Sequence, residues 1–208
     1  ANLSGKPSPT CAEHVMQDMD GRIAMVIDGG ECEIGLESTV IAVSGNSANV
    51  LRPGAVTPDM LRSAGIAVTV DGAVTDPPKA GSAPQSPGMK YKHYAPKAEL
   101  YLVEGGTAEL IAAARSGGSL PSATAVMCSD DDTAKFPGFI VLDTGKSDEE
   151  YAHRLFSLLR RADELGAERI YAALPRADGD TLAIYNRIIR SSAGKIIRKM
   201  TNTEKEVL

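Results

Sequence analysis

Tryptophan is absent from this 208-residue chain, and other aromatics are scarce, with three Phe and six Tyr. That leaves no stacking platform of the kind single-strand nucleic-acid binders use. Positive charge is also in deficit: 22 Lys and Arg against 27 Asp and Glu give a net charge of −5. The whole chain therefore has no basic footprint for nucleic acid, and any polyanion it binds is small or met locally. Only three cysteines occur, Cys11, Cys32 and Cys128, without CxxC spacing. An odd count so spaced argues against a disulfide framework and a structural zinc site, and fits a reducing cytoplasm. No apolar run approaches the roughly eighteen residues of a membrane helix, and the first residues lack the basic-then-apolar layout of a signal peptide. The initiator Met is missing too: the chain opens Ala1-Asn2-Leu3-Ser4-Gly5, as expected of a fragment.

What remains, 43% hydrophobic with 20 Gly and 12 Pro, describes a globular chain of one large domain or two small ones. Charge and proline divide it into three. Residues 1–72 carry four basic and nine acidic side chains, residues 73–97 four Lys and one Asp, and residues 98–208 fourteen basic and seventeen acidic. Pro77, Pro78, Pro84, Pro87 and Pro96 crowd the middle stretch, which predicts an extended, stiffened, basic linker over 73–98. In the first segment, Ser8-Pro9-Thr10 opens a helix with Thr10 and Glu13 spaced as a capping box. Ile23 to Ile27, Ser38 to Val43 and Asn49 to Leu51 read as strands, and Thr57-Pro58 caps a helix through Ala64.

The region 99–208 alternates evenly. Strands are expected at Glu99 to Val103, Ala123 to Cys128, Phe139 to Leu142 and Arg169 to Ala173, with helices at Thr107 to Arg115, Asp148 to Leu165 and Asp180 to Ser192. Strands separated by helices imply an α/β fold with a mainly parallel, Rossmann-like sheet. No GxGxxG follows its first strand, so dinucleotide binding has no support.

Four clusters could carry chemistry. Asn2 to Thr10 is a Ser/Asn/Gly-rich loop feeding a helix start, which suits either ordinary capping or an anion site. Gly29-Gly30 through Glu37-Ser38-Thr39-Val40 is a glycine-bounded turn whose Ser38 can hydrogen-bond a carboxylate or phosphate, or a plain hairpin. Leu51-Arg52-Pro53-Gly54 holds a guanidinium at a strand end, suited to a phosphate, a carboxylate or a surface ion pair. Ser86 to Pro96, with Lys90, Tyr91, Lys92, His93 and Tyr94 between prolines, reads as a strap across something anionic. His14 and His153 complete no metal trio, no Cys has a paired base, and Asp130-Asp131-Asp132 reads as a solvated loop. Arg187, Arg190 and Arg198 read as a solvated or partner-facing set.

In this order and spacing, Asn2-Leu3-Ser4-Gly5, Ser8-Pro9-Thr10, Asp28-Gly29-Gly30, Glu37-Ser38-Thr39-Val40, Leu51-Arg52-Pro53-Gly54, Pro87 to Pro96 and Ala183 to Arg187 resemble the Sua5/YrdC/YciO family. The linker and second domain narrow the likeness to its Sua5-type members. The resemblance implies the C-terminal part of a YrdC-like catalytic domain over 1–72, a linker over 73–98 and a Sua5 C-terminal Rossmann-like domain over 99–208. It implies formation of L-threonylcarbamoyladenylate and pyrophosphate from L-threonine, bicarbonate and ATP, with Mg²⁺ on the phosphates. The intermediate would pass to the transferase machinery of tRNA t6A modification, with direct tRNA binding by this chain disfavoured by its charge. Positioning and charge stabilisation can carry carbamate formation and attack on the α-phosphate without an enzyme nucleophile.

By the same resemblance, Asn2, Ser8 and Arg52 face ATP, Ser38 lies beside threonine, and Tyr91, His93 and Tyr94 close over the site to exclude water. The family's Lys-x-Arg element is not in this sequence, so the chain alone is expected to lack synthase activity. Two alternatives stand beside this reading: a carbamoyl-adenylate domain with another acceptor, and a non-catalytic RNA-binding or interaction module.

Overall fold

A computed structural model describes residues 1–76 and 94–198. The first segment forms α1 (Ala12–Met19), β1 (Val40–Ser44), β2 (Ser47–Arg52), α2 (Pro58–Ser63), β3 (Ala67–Val70) and α3 (Gly72–Thr75). The second contains β4 (Glu99–Val103), α4 (Thr107–Ser116), β5 (Thr124–Cys128), β6 (Ile140–Asp143), α5 (Asp148–Glu164), β7 (Arg169–Ala173), α6 (Leu182–Ser191) and β8 (Ile196–Ile197). A three-stranded sheet has the order β1-β2-β3, and a five-stranded sheet the order β6-β5-β7-β4-β8.

In the small sheet, β1 and β2 pair antiparallel around the two-residue turn Gly45-Asn46, where Gly45 takes a φ of +56°. Glycine at the first turn position lets the turn follow the right-handed twist of the strands. β3 then runs parallel to β2 after α2. That helix begins as its sequence predicts, with Pro58 in the first turn and the Thr57 hydroxyl accepting from the Met60 N–H at 3.2 Å.

Every pairing in the larger sheet is parallel, as the alternating pattern predicts. All five residues of β5, Thr-Ala-Val-Met-Cys, are buried, the composition of a central strand covered on both faces. One face packs Leu100, Leu102, Met127 and Ile170 against α5 and α6 through Leu155, Phe156, Leu159, Ile184 and Ile188. The other packs Val103, Val126 and Tyr171 against Leu110, Ala113 and Ala114 of α4. The result is a three-layer sandwich.

Several expectations fail for physical reasons. Ile23 to Ile27 forms no strand: it pairs with no strand among the described residues, and Ile27 is 87% exposed. The Thr10/Glu13 capping box does not close. Cys11 is the N-cap of α1, without a side-chain cap, and the Thr10 N–H donates to His14 Nδ1 at 3.1 Å. Asp130 to Asp132 lie in a 3-10 segment, where Asp132 takes hydrogen bonds from Thr107 and Lys135. Four-residue α3 escapes periodicity altogether, since so short a helix does not stand alone. Its carbonyls are held by α6: Arg190 Nη2 donates to Ala73 O at 2.6 Å, Asn186 Nδ2 to Val74 O at 2.8 Å, and the Tyr185 hydroxyl to Thr75 O at 3.0 Å.

Candidate active site

The hairpin sets the geometry. Because β1 and β2 are antiparallel, with Val40 opposite Arg52, the residues entering β1 lie beside those leaving β2. Arg52 accordingly donates from Nε to the Ser38 carbonyl at 3.1 Å and from Nη2 to the Ser38 hydroxyl at 3.4 Å. Ser38 is exposed and Arg52 half-buried, so the pair faces solvent. Gly54 explains why the Arg-Pro-Gly turn can come so close. A Cβ there would sit 2.5 Å from Thr39 N and 2.7 Å from Glu37 O, closer than any side chain tolerates against backbone.

Behind this pair stands Glu37. Its Oε1 accepts from the Ser8 hydroxyl, its Oε2 accepts from Arg187 Nε at 2.7 Å, and its backbone carbonyl accepts from Arg187 Nη2 at 3.2 Å. Burial pushes this carboxyl up. The Arg187 charge and the hydrogen bonds from Ser8 and Arg187 outweigh that and hold it below the usual carboxylate range. Arg187 itself is fully buried and also donates from Nη1 to Asn186 Oδ1 at 2.8 Å.

Tyr94 completes the cluster. It is 2% exposed, with a φ of +64°. Its ring centroid lies 5.1 Å from that of Phe156, and the Arg187 guanidinium stands 5.9 Å from the Tyr94 centroid. Burial first, and then the Glu37 charge, raise its phenol. The following Ala95 N–H donates to Gly5 O at 2.9 Å, tying this end of the linker to the loop that carries Asn2. Asn2 Nδ2 braces that loop by donating to Leu3 O at 2.9 Å and Lys6 O at 3.4 Å.

Of the residues singled out in the sequence, Ser8, Ser38, Arg52 and Tyr94 thus share one cluster around Glu37, and Asn2 stands on the adjoining loop. Tyr91 and His93 lie outside the described residues. Sequence reasoning gave no role to Glu37 and assigned Arg187 and Arg190 to a solvated or partner-facing set. Both arginines are buried and bonded within the chain. The signal for Arg187 was its place beside Ile184, Ile188 and Ser191 on one face of α6, where a charge needs a buried partner.

Comparison with known proteins agrees with this architecture. Residues 56–193 match the family model described as "Threonylcarbamoyl-AMP synthase, C-terminal domain", and residues 1–54 match the Sua5/YciO/YrdC model, described as "Telomere recombination". The chain belongs to the Sua5 family. The threonylcarbamoyl-AMP synthase of Bacillus subtilis (strain 168) is 38% identical over 203 residues, 95% of this chain and 57% of that protein. The Pyrococcus abyssi enzyme of the same name is 37% identical over 205 residues, 95% of this chain and 58% of that one. The crystal structure of P. abyssi Sua5 complexed with L-threonine superposes with a TM-score of 0.81 at 34% identity, covering 96% of this chain and 58% of that chain. The chain therefore spans under two thirds of the length of these Sua5 relatives. Among its described residues no helix is long and apolar enough to cross a membrane.

Proposed function

We propose that this chain supplies the threonine side and part of the phosphate side of an L-threonylcarbamoyladenylate synthase, which consumes L-threonine, bicarbonate and ATP and releases pyrophosphate. The observation carrying this reading is the contact between the Arg52 guanidinium and Ser38 at adjacent strand ends. A guanidinium matches phosphate oxygens bidentately, and a neighbouring exposed hydroxyl suits an amino-acid substrate. A Sua5 relative has been crystallised with L-threonine, which supports the amino-acid half.

In this reading Ser38 receives threonine and Arg52 stabilises charge developing on the phosphates. Glu37, locked by Ser8 and Arg187, fixes the backbone from which Ser38 projects. Asn2 and Ser8 border the nucleotide, and Tyr94 anchors the end of the linker beside the site. Mg²⁺ arrives as part of the ATP substrate. The product passes to the transferase that modifies tRNA, and the cytoplasm is the compartment.

The test is made in the full-length protein. Arg52→Ala lowers the rate of pyrophosphate release about a hundredfold or more, as loss of a preorganised charge donor does, with a smaller effect on threonine affinity. Ser38→Ala does the reverse, weakening threonine binding about tenfold. If Ser38→Ala left threonine affinity unchanged in a folded protein, the assignment would fail. A steep loss of tRNA affinity with rising salt would favour the RNA-binding alternative instead.

A further inference from the structure

A cavity of about 570 Å³ opens at the carboxyl edge of the five-stranded sheet, and neither Ser38 nor Arg52 is in its lining. Its floor is the ends of β5 and β7, through Met127, Cys128 and Ala173, and its walls are the starts of α4 and α5. The chain leaves β5 towards β6 and leaves β7 towards β8, in opposite directions across the sheet. Such a divergence opens a crevice beyond the strand ends, where open α/β sheets bind ligands. The volume is within the range of small-molecule sites.

Thr144, which lines this cavity just after β6, offers an occupant a polar contact. It is 7% exposed, its N–H is spent on Cys128 O at 2.9 Å, and its hydroxyl makes no hydrogen bond among the described residues. Open to the cavity, this hydroxyl offers a ligand both a donor and an acceptor.

The charge around it decides the ligand's sign. Four carboxylates, on Asp132, Asp148, Glu149 and Asp180, line the cavity with one cation, Lys146. The Lys146 ammonium is already 3.2 Å from Asp130. The helix starts offer anions little: the Gly106 N–H donates to Glu109, the Lys146 N–H to Glu150, and Asp148, Glu149 and Glu150 fill the first turn of α5. Asp148 and Asp180 are exposed and hold no hydrogen bond among the described residues. Burial, with Asp132 and Asp143 nearby, pushes the Cys128 thiol up to about 11, so it is neutral at the cavity floor. Leu110, Met127 and Ala173 add apolar wall.

We propose that this cavity is a second ligand site, taking a small organic amine whose ammonium lies against Asp148 and Asp180 and whose polar body reaches the Thr144 hydroxyl. The site is separate from the synthase reading and stands if that reading falls.

Calorimetric titrations of the chain with tyramine, adenosine and inorganic phosphate, with amide chemical shifts to locate binding, test it. Saturable binding of tyramine is expected, with shifts at Ser129, Thr144 and Gly145, and none there from phosphate. Asp148→Asn and Asp180→Asn weaken tyramine about threefold each, as partly exposed charge pairs do. Thr144→Val, of nearly the same shape, weakens it about fivefold. The two amide variants alter exposed side chains and keep the fold, so they decide the matter should Thr144→Val fail to fold. No tyramine saturation by about 10 mM, phosphate or adenosine binding in tyramine's place, or indifference to both amide variants would overturn the proposal.

Discussion

At the scale of single residues, Glu37 organises the site while touching no proposed substrate. Arg187 has no exposure of its own, so neutralising its partner leaves a buried charge uncompensated. Glu37→Gln therefore destabilises the fold by about 3 kcal/mol, read as a lowered urea midpoint near neutral pH. The pH dependence has a definite sign. The folded carboxyl titrates below its ordinary value, so its stabilisation is complete above the unfolded pKa, about 4.3, and is lost as pH falls through the lower folded value. The gap between wild type and Glu37→Gln accordingly narrows on acidification, and a gap that widened towards acid would contradict the assignment. Gly54→Ala tests the approach of the two motifs. The added methyl meets backbone at Thr39 and Glu37, costs about 1–3 kcal/mol and parts Ser38 from Arg52, so the melting temperature and threonine affinity fall together.

At the scale of elements, legibility followed how much of an element's stability is local. Helix α5 could be read because its seventeen residues keep an apolar face and start at Ser147, whose hydroxyl accepts from the Glu150 N–H at 3.2 Å. Ser147→Ala should cost about 1 kcal/mol, visible as a small drop in melting temperature with the far-UV spectrum unchanged. β5 and β7 could be read from short apolar runs between turns. Ile23 to Ile27 has the same composition but no neighbouring strand, and strand propensity without pairing is not a strand. α3 and β8 were invisible because tertiary contacts hold them: α3 through three side chains of α6, and two-residue β8 through pairing with Leu102 and Val103 of β4. In the candidate site the motifs were legible and their wiring was not. Ser38 and Arg52 are fourteen positions apart and meet through a hairpin, whereas Glu37 and Arg187 are 150 apart, a separation no local pattern encodes.

At the scale of the whole molecule, the two segments are joined by buried charge as well as by apolar packing. Asp18 of α1 accepts from Arg160 of α5 at 2.7 Å and from Lys6 at 2.9 Å, and Arg160 also donates to Pro7 O at 2.6 Å. Burial opposes ionisation of Asp18, yet the hydrogen bonds from Arg160 and Lys6 hold its carboxyl far below the usual range. Nearby, Gly35 lies against the His153 backbone, where a Cβ would come within 2.2 Å of the carbonyl oxygen. With this contact, the Glu37–Arg187 pair and the α3–α6 bonds, the first segment is bound to the second at sites along α5 and α6. The first segment has a thin core of its own, Ala48, Val50, Leu51 and Val74, too little for independent stability. It should therefore unfold with the larger sheet: calorimetry should give one transition with matching calorimetric and van't Hoff enthalpies. Asp18→Asn strips Arg160 of its charge partner and should cost about 3–5 kcal/mol. Because the segments melt together in the wild type, this loss appears first as early disappearance of hydrogen-exchange protection in α1, β1 and β2 while β5 and β7 stay protected. Equal loss of protection in β5 would instead mean that the segments remain one cooperative unit after their charge link is broken.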